Sequence, residues 1–509
     1  MQEYGRETSN PCVNGLQPDE RSPRDAPYLT YCKNLKPSAY GLISPEVYTD
    51  PTASTVSTWP FPQLRRGGRN YLKLDATAIS AGTSAAFASL SGQTTYSSTA
   101  PASTLAIAQG GTWHTAFFHD VWFATNGASF VFKLPSNSSS KVYCNTTITV
   151  KAICRHRNRL FMGGVNLGSW GSGSRFQKVV QLWKDTLRPF EYSTSAMTPD
   201  TTFVFWSRYG GDANDYPFYV MMAMMGFLGD TIFDELYPLI ERDIKERSMG
   251  FWPMQVPGDI TALHGLGDDL IAFGTNGMAR MSPTDEGGYS DAPERPYGIY
   301  GRGSVCGWER ELVFIGSGGD LYKWVLGEGI TKLGFRYYLR SLTAASTVIS
   351  YDPYEGDYTI TDGTTCYILN AWDKLGGPIT IHPTSLVREG TNLYSCKTGT
   401  ATQCEVHFKE MSWGNRDSKH VPVIQMEYEN ITSPEGRIDW RENVAASYAT
   451  TSWTPYNREG ACSPSVSFVD GIIKFRGTIT TDARIGGGEI RYQQEGRRFV
   501  RGISGTEPA

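Results

Sequence analysis

Between residues 70 and 372 one unit keeps returning: a short apolar strand, a tight turn carrying glycine, and a second short strand. Its clearest copies are Asp120–Phe132 around Asn126-Gly127, Asp269–Met281 around Asn276-Gly277, Glu311–Trp324 around Gly318-Gly319 and Asp357–Leu369 around Asp362-Gly363. Asn-Gly, Gly-Gly and Asp-Gly supply the positive φ that two-residue hairpin turns require. The turn glycines set a period. Gly277 to Gly319 is 42 residues and Gly319 to Gly363 is 44, within the roughly 40–50 residues of a four-stranded propeller blade.

Weaker copies lie upstream, at Tyr71–Ile79, Arg159–Gly164 and Thr202–Gly211. Counting every copy gives six or seven units. The step from Gly211 to Gly277, 66 residues, is about one helix too long. The surplus falls in residues 214–248, where Ile232, Leu236, Leu239, Ile240 and Ile244 recur at helical spacing. Pro238 leaves the first turns of that helix open. No other segment reads as a confident helix.

The expected fold is therefore mainly β, with β-propeller-like repeats over 67–374 and one helical insertion at 214–248. Residues 1–66, dense in Pro, Asn, Asp and Ser, read as an extended N-terminal arm. Beyond 375 the rhythm stops, and Val421–Tyr428, Ser465–Val469 and Gly471–Arg476 suggest a separate C-terminal β-domain, a sandwich or open sheet, over 375–509, frayed after Val500. A composition with 13 % aromatics, 54 Gly and 28 Pro agrees with many short strands and turns.

Lys+Arg (47) and Asp+Glu (51) nearly cancel, so no whole-molecule field draws the chain onto nucleic acid or an anionic membrane. The N-terminus lacks an apolar signal region, and the longest apolar run, Phe218–Leu228, is too short to span a bilayer. A soluble protein made in a cytosol-like compartment is expected. Its nine cysteines are odd in number and scattered without Cys-x-x-Cys, which favours reduced thiols over a Cys396–Cys404 bridge. On the same grounds the Asn-x-Ser/Thr sites at Asn137, Asn145 and Asn430 read as chance.

Signals for chemistry are sparse. There is no phosphate-binding loop and no His-Glu-x-x-His. Gly301–Gly307 misses the dinucleotide spacing by one residue and enters a strand. His114, His119 and Asp120 could ligate a metal, but they read better as a strand edge facing solvent or a turn. Ser282–Gly287 is one imperfect copy of a sialidase turn box. Basic residues cluster at Arg65, Arg66 and Arg69, at Arg155, Arg157 and Arg159, and at Arg497–Arg501. In a ring such clusters would be multiplied by the subunit number. The Met-rich run Phe218, Met221, Met222, Met224, Met225 and Phe227 suits either an adaptable partner contact or the buried half of a helix.

The proline-punctuated stretch (Ala26–Leu42, then Trp59–Leu64), the glycine-turn blades and the terminal β-domain together resemble the tail nozzle or hub proteins of short-tailed bacteriophages, also called packaged-DNA stabilisation proteins. The resemblance implies a non-enzymatic virion protein, made in the host cytoplasm and assembled into the tail as a hexameric homo-oligomeric ring. It also implies a channel for non-specific double-stranded DNA, attachment to adaptor or portal-side proteins, and tail fibres or spikes at the side. No cofactor, metal or small-molecule substrate is expected. On this reading the first two arginine clusters are candidate channel contacts and the Met-rich run a candidate docking element. The alternative is a glycan-binding or glycan-cleaving propeller in a receptor-binding tail component, presenting Trp170, Trp308 and Trp413 on blade loops.

Overall fold

The computed structural model describes residues 4–7, 11–18, 28–49, 62–67, 70–74, 79–83, 86–89, 91–93, 112–133, 141–145, 148–187, 200–210, 217–284, 289–396, 401–410, 418–442 and 446–494. Its contacts divide the chain into two units. One comprises Val47–Cys366 with His382–Gly399; the other comprises Met1–Glu46, Tyr367–Ile381 and Thr400–Ala509.

The first unit is built from up-and-down antiparallel sheets. Four-stranded meanders run over Gln63–Ser89 (blade 1), His114–Asn145 (blade 2), Thr149–Pro253 (blade 3), Ile260–Arg295 (blade 4) and Val305–Gly334 (blade 5). A sixth sheet opens with the hairpin Val348–Asp352/Asp357–Thr361. Ser91–Gln93 adds a parallel fifth strand to blade 2. The first strands of successive sheets pack side by side, from His114–Phe118 through Thr149–His156, Ile260–Leu266 and Val305–Trp308 to Val348–Asp352. That arrangement, with each sheet standing outward from a shared axis, is a β-propeller.

The recurring hairpin of the sequence is the second and third strand of each blade: Val121–Thr125 with Phe130–Lys133, Asp269–Gly274 with Met278–Pro283, and Glu311–Ile315 with Leu321–Val325. Gly127, Gly319 and Gly363 take φ of 86°, 85° and 88°, as their turns require. The second strands are covered on both faces by neighbouring blades. Val121–Thr125 is buried at every position, so these strands read as continuous apolar runs rather than alternating ones.

Arg159–Gly164 and Thr202–Gly211, which look like two units in sequence, are the second and third strands of the single blade 3, where Phe161–Gly163 pairs with Val204–Trp206. The count of four-stranded repeats is therefore six. The irregular spacing arises because blade 3 carries two insertions rather than one. A helix at Ser174–Leu187 lies between its second and third strands, and helices Pro217–Met224 and Asp230–Lys245 lie between its third and fourth. The first of these was not expected. It buries Phe176, Val179, Val180 and Trp183 and sets the Trp183 ring 5.7 Å from Trp206 and 5.5 Å from Phe251. Gly250 lies under Trp183, where a Cβ would stand 2.4 Å from the ring.

The Asp230–Lys245 helix runs through Pro238. Phe233, Ile240 and Ile244 form its buried stripe, while Leu239 turns outward. Arg175 reaches Asp230 at 2.9 Å and Asp234 at 2.7 Å, joining the first and last of the three helices.

The ring is joined by the segment His382–Gly399, after the chain's excursion into the second unit. Its hairpin Val387–Glu389/Asn392–Tyr394 grips both ends of the propeller. Towards the sixth blade, Arg388 forms a bidentate ion pair with Asp352. Towards the first, Glu389 receives Arg66 Nη2 at 2.9 Å and the Tyr71 hydroxyl. Leu64, Tyr71, Val387 and Cys396 close a small apolar cluster beneath it.

In the second unit strands from the N-terminal and the C-terminal parts of the chain are woven into one sheet. Its spine is an antiparallel ribbon of Lys419–Arg441 with Asp470–Gln494, paired along almost its whole length with several bulges. At ~3.3 Å per residue the 23-residue strand is about 75 Å along its contour. Gln403–Phe408 pairs with Lys474–Thr478, and Leu29–Lys33 pairs with Gln403–Phe408 in turn. Gly41–Ile43 and Tyr4–Glu7 pair further along the ribbon. Within the stretch 1–66 read in sequence as an arm, Tyr4–Glu7, Leu29–Lys33, Lys36–Ser38 and Gly41–Ile43 are thus strands of this unit, whereas Gln63–Gly67 begins blade 1.

Candidate functional site at the propeller axis

Residues from the first strand of all six blades surround one cavity of about 830 Å³. Blade 1 contributes Arg65, blade 2 His114, blade 3 Arg155, His156 and Arg157, blade 4 His264, blade 5 Trp308 and Glu309, and blade 6 Ser350 and Tyr351. First strands of a propeller face neighbours closely at the axis, so they carry small or polar residues. Ile260–Leu266 (ITALHGL) and Val305–Trp308 (VCGW) show this composition.

The histidines are anchored to the backbone. His114 Nε2 lies 2.8 Å from the Arg302 carbonyl, His156 Nε2 3.2 Å from the Asp268 carbonyl, and His264 Nδ1 2.9 Å from the Gly265 carbonyl. A ring nitrogen facing a carbonyl must donate, so each neutral ring carries its proton there. Burial, with the Arg302 charge nearby, pushes His114 down to about 3. Burial also lowers His156, helped by Arg157, and His264. These rings stay neutral and tethered, which suits packing rather than proton shuttling. Burial raises the Cys154 thiol to about 12 and pushes Cys306 upward, so neither is a thiolate nucleophile.

The arginines differ in exposure and partners. Arg65 is half-buried, with Nη1 donating to the Leu64 carbonyl at 3.1 Å and Nη2 to Gln63 Oε1 at 3.3 Å. Burial lowers its pKa. Arg155 is exposed and donates to the Phe117 carbonyl at 3.4 Å; Arg157 pairs with Asp268. Just outside the lining, Arg302 bridges blades 2, 3 and 5 by donating to the carbonyls of Thr125 and Lys151. Its burial pulls it down to about 10.

Of the six arginines singled out in sequence, the fold brings together Arg65, Arg155 and Arg157. Arg66 is instead committed to Glu389 and the Arg388 carbonyl. Arg159 is buried, its guanidinium 3.7 Å over the Tyr209 ring and 5.6 Å from that of Tyr289. It is therefore a packing residue. Arg69 and the Arg497–Arg501 cluster lie outside the described residues.

The Met-rich run is a correction. Phe218, Met221, Met222, Met224 and Met225 are fully buried and Phe227 nearly so. Phe218 packs edge-on to Phe123 and Phe227 against Phe130. In this fold the six side chains are core that seats the insertion on blades 2 and 3, so none of the six is available as a docking contact.

His114 and His119 do not converge. His114 faces the axis, while His119 and Asp120 form the following turn with φ of 48° and 57°. Among the described residues no group of His, Cys, Asp and Glu is placed to hold a metal. Cys396 and Cys404 are both free thiols. Of the three loop tryptophans, Trp308 is exposed at the cavity. Trp170 is partly buried against Phe233 and donates to the Met224 carbonyl at 3.0 Å. Trp413 and Asn137 lie outside the described residues. His114 was singled out in sequence only as a metal candidate, and His156 and His264 not at all; the available signal was their place one strand before the strand that enters each hairpin turn.

No family model matches the chain, and no curated protein does. Among solved structures, Hsv2 of Kluyveromyces lactis is similar over 67 % of this chain and 85 % of its own, with a TM-score of 0.30 and 6 % identity.

Proposed function

We propose that this chain is a structural, non-enzymatic subunit of a ring-shaped tail nozzle or hub of a short-tailed bacteriophage, one that conducts or retains DNA and docks neighbouring tail proteins. The observation that carries the reading is the division of labour along the chain: a six-bladed propeller and a mainly β unit that draws strands from both the N-terminal and the C-terminal parts of the chain. The glycine-turn blades and the β-rich C-terminal part are two of the features on which the resemblance rests; the third, the proline-punctuated stretch, supplies strands to the second unit instead of an arm. The tethered neutral histidines and protonated thiols at the axis favour a structural part over a catalytic one.

The propeller's own axis is not the DNA conduit. A sphere of 830 Å³ is about 12 Å across, no wider than the major groove of B-DNA alone, ~12 Å. In this reading the bore is formed between several copies closing a heterologous ring. Arg65, Arg155 and Arg157 then reach DNA at the mouth of the axial cavity at most, through sequence-independent phosphate contacts.

Native mass spectrometry of the purified chain, alone and mixed with portal-side proteins, tests the proposal. A closed oligomer, with six copies expected, supports it. A chain that stays monomeric in both settings counts decisively against it.

A further inference from the structure

The second unit holds a groove of about 860 Å³, formed between the turn at Ser38–Ile43, the Trp372 turn, the ribbon residues Gln425–Glu429 and Arg484–Gly486, and the Arg458–Gly460 turn. That is within the ~300–1,000 Å³ of small-ligand sites. Two large rings stand at its edge largely in water: Tyr40 is 89 % exposed and Trp372 60 % exposed. Exposed aromatics grouped around a concavity are a costly arrangement that commonly marks binding.

The two rings are held in a fixed relation. Buried Asn370 accepts from Trp372 N at 3.1 Å and Lys374 N at 2.8 Å through Oδ1, shaping the Trp372 turn. Its Nδ2 donates to the Pro37 carbonyl at 2.9 Å, one residue before the turn that carries Tyr40. Ser38 Oγ closes that turn by donating to the Gly41 carbonyl at 3.0 Å. Gly41, at φ 145°, lies so close to the ribbon that a Cβ would meet the Ile485 carbonyl oxygen at 2.2 Å. One buried amide therefore couples both aromatic turns, and a platform preorganised in this way loses little entropy on binding.

The polar lining is mixed in sign. Glu427, Glu429 and Glu459 face Arg458 and Arg484, and no ion pair ties up any of them among the described residues. Carboxylates accept from hydroxyls, and guanidinium groups donate to ring and hydroxyl oxygens. Near-cancelling charge disfavours a polyanion such as nucleic acid. We infer that this groove binds a neutral glycan, with pyranose faces stacked on Tyr40 and Trp372 and hydroxyls bridging the carboxylates and arginines. The inference does not depend on ring assembly or on the DNA reading.

The test uses the full chain and a printed array of neutral hexose, N-acetylhexosamine and deoxyhexose oligosaccharides, followed by titration of the best binder. Tyr40→Ala and Trp372→Ala remove exposed rings, so both variants fold, which their melting temperatures check. The expected result is array binding by the parent chain that weakens about tenfold or more in each variant, the order of one lost aromatic contact. Leu239→Ala, on the outward face of the Asp230–Lys245 helix, leaves binding unchanged. Silence of the parent chain across the array overturns the proposal, as does binding indifferent to both variants. Self-association lost in Tyr40→Ala and Trp372→Ala, with no oligosaccharide bound, assigns the groove to a subunit contact and overturns it equally.

Discussion

Replacing Arg388 by Met attacks the closure of the propeller at a single point. Arg388 Nε lies 3.0 Å from Asp352 Oδ1, Nη2 meets Oδ2, and Nη1 donates to the Thr391 carbonyl at 3.1 Å. The two side chains are 7 % and 4 % exposed, so solvent screens the pair little. Arg388→Met keeps the aliphatic volume and strands the Asp352 carboxylate without its cation. Removing one partner of a buried pair costs about 3–5 kcal/mol. The propeller unit has roughly 340 residues, which gives an unfolding entropy of ~0.7 kcal/mol/K at ~2.1 cal/mol/K per residue. The expected fall in melting temperature is then about 4–7 °C. Asp352→Asn in the same background removes the stranded charge while Asn still accepts from Tyr354 N (3.1 Å in the parent chain), and it recovers most of the loss. Differential scanning calorimetry of the single and double variants decides the matter. A single-variant shift below about 1 °C, or a double variant no more stable than the single, refutes the claim that this pair locks the last blade to the closing hairpin.

Three further outcomes follow from the packing. Gly127→Ala puts a Cβ at φ 86° and 2.8 Å from Arg302 Nη1, so urea midpoints should report a loss of about 1–3 kcal/mol. Met222→Ala, at a fully buried position, should cost about 2–5 kcal/mol, whereas Leu239→Ala on the outward helix face should cost under ~0.5 kcal/mol; equal effects would mean that the Met-rich run is surface after all. The axial histidines also make stability depend on pH. Their folded pKa values lie below the ordinary value, His114 down to about 3, so the unfolded chain takes up protons first as pH falls below ~6.5. Stability is full above that value and declines towards pH 3, and His114→Gln should flatten the slope of melting temperature against pH in that window.

The hairpins at Asn126-Gly127, Asn276-Gly277, Gly318-Gly319 and Asp362-Gly363 were legible in the sequence because turn chemistry and the apolar runs flanking it are local. The first strands were not, since the axis selects small and polar residues such as Gly265, Gly307 and His264, which carry no strand period. The helix at Ser174–Leu187 hid behind the Gly/Ser stretch 168–174, and its absence from the count split blade 3 into two apparent units. Asp230–Lys245 was recovered from its spacing, though Phe233 rather than Leu239 belongs to the buried stripe. Closure by His382–Gly399 depends on contacts such as Arg66–Glu389, 323 residues apart, for which one sequence holds no local signal. The same applies to the aromatic groove, which Tyr40 and Trp372 line together although more than three hundred residues separate them. Three of the six candidate arginines do converge, because Arg65 and Arg155 lie on innermost strands and Arg157 in the turn directly after the second of these.

Single-particle electron microscopy of the purified chain, at protein concentrations high enough to drive assembly, tests the central claim most directly. Closed rings are expected, with six copies, whose central hole is bounded by several propellers and is wide enough for a DNA duplex. A field of single propeller-shaped particles that never close into rings, with or without portal-side partners, would contradict it.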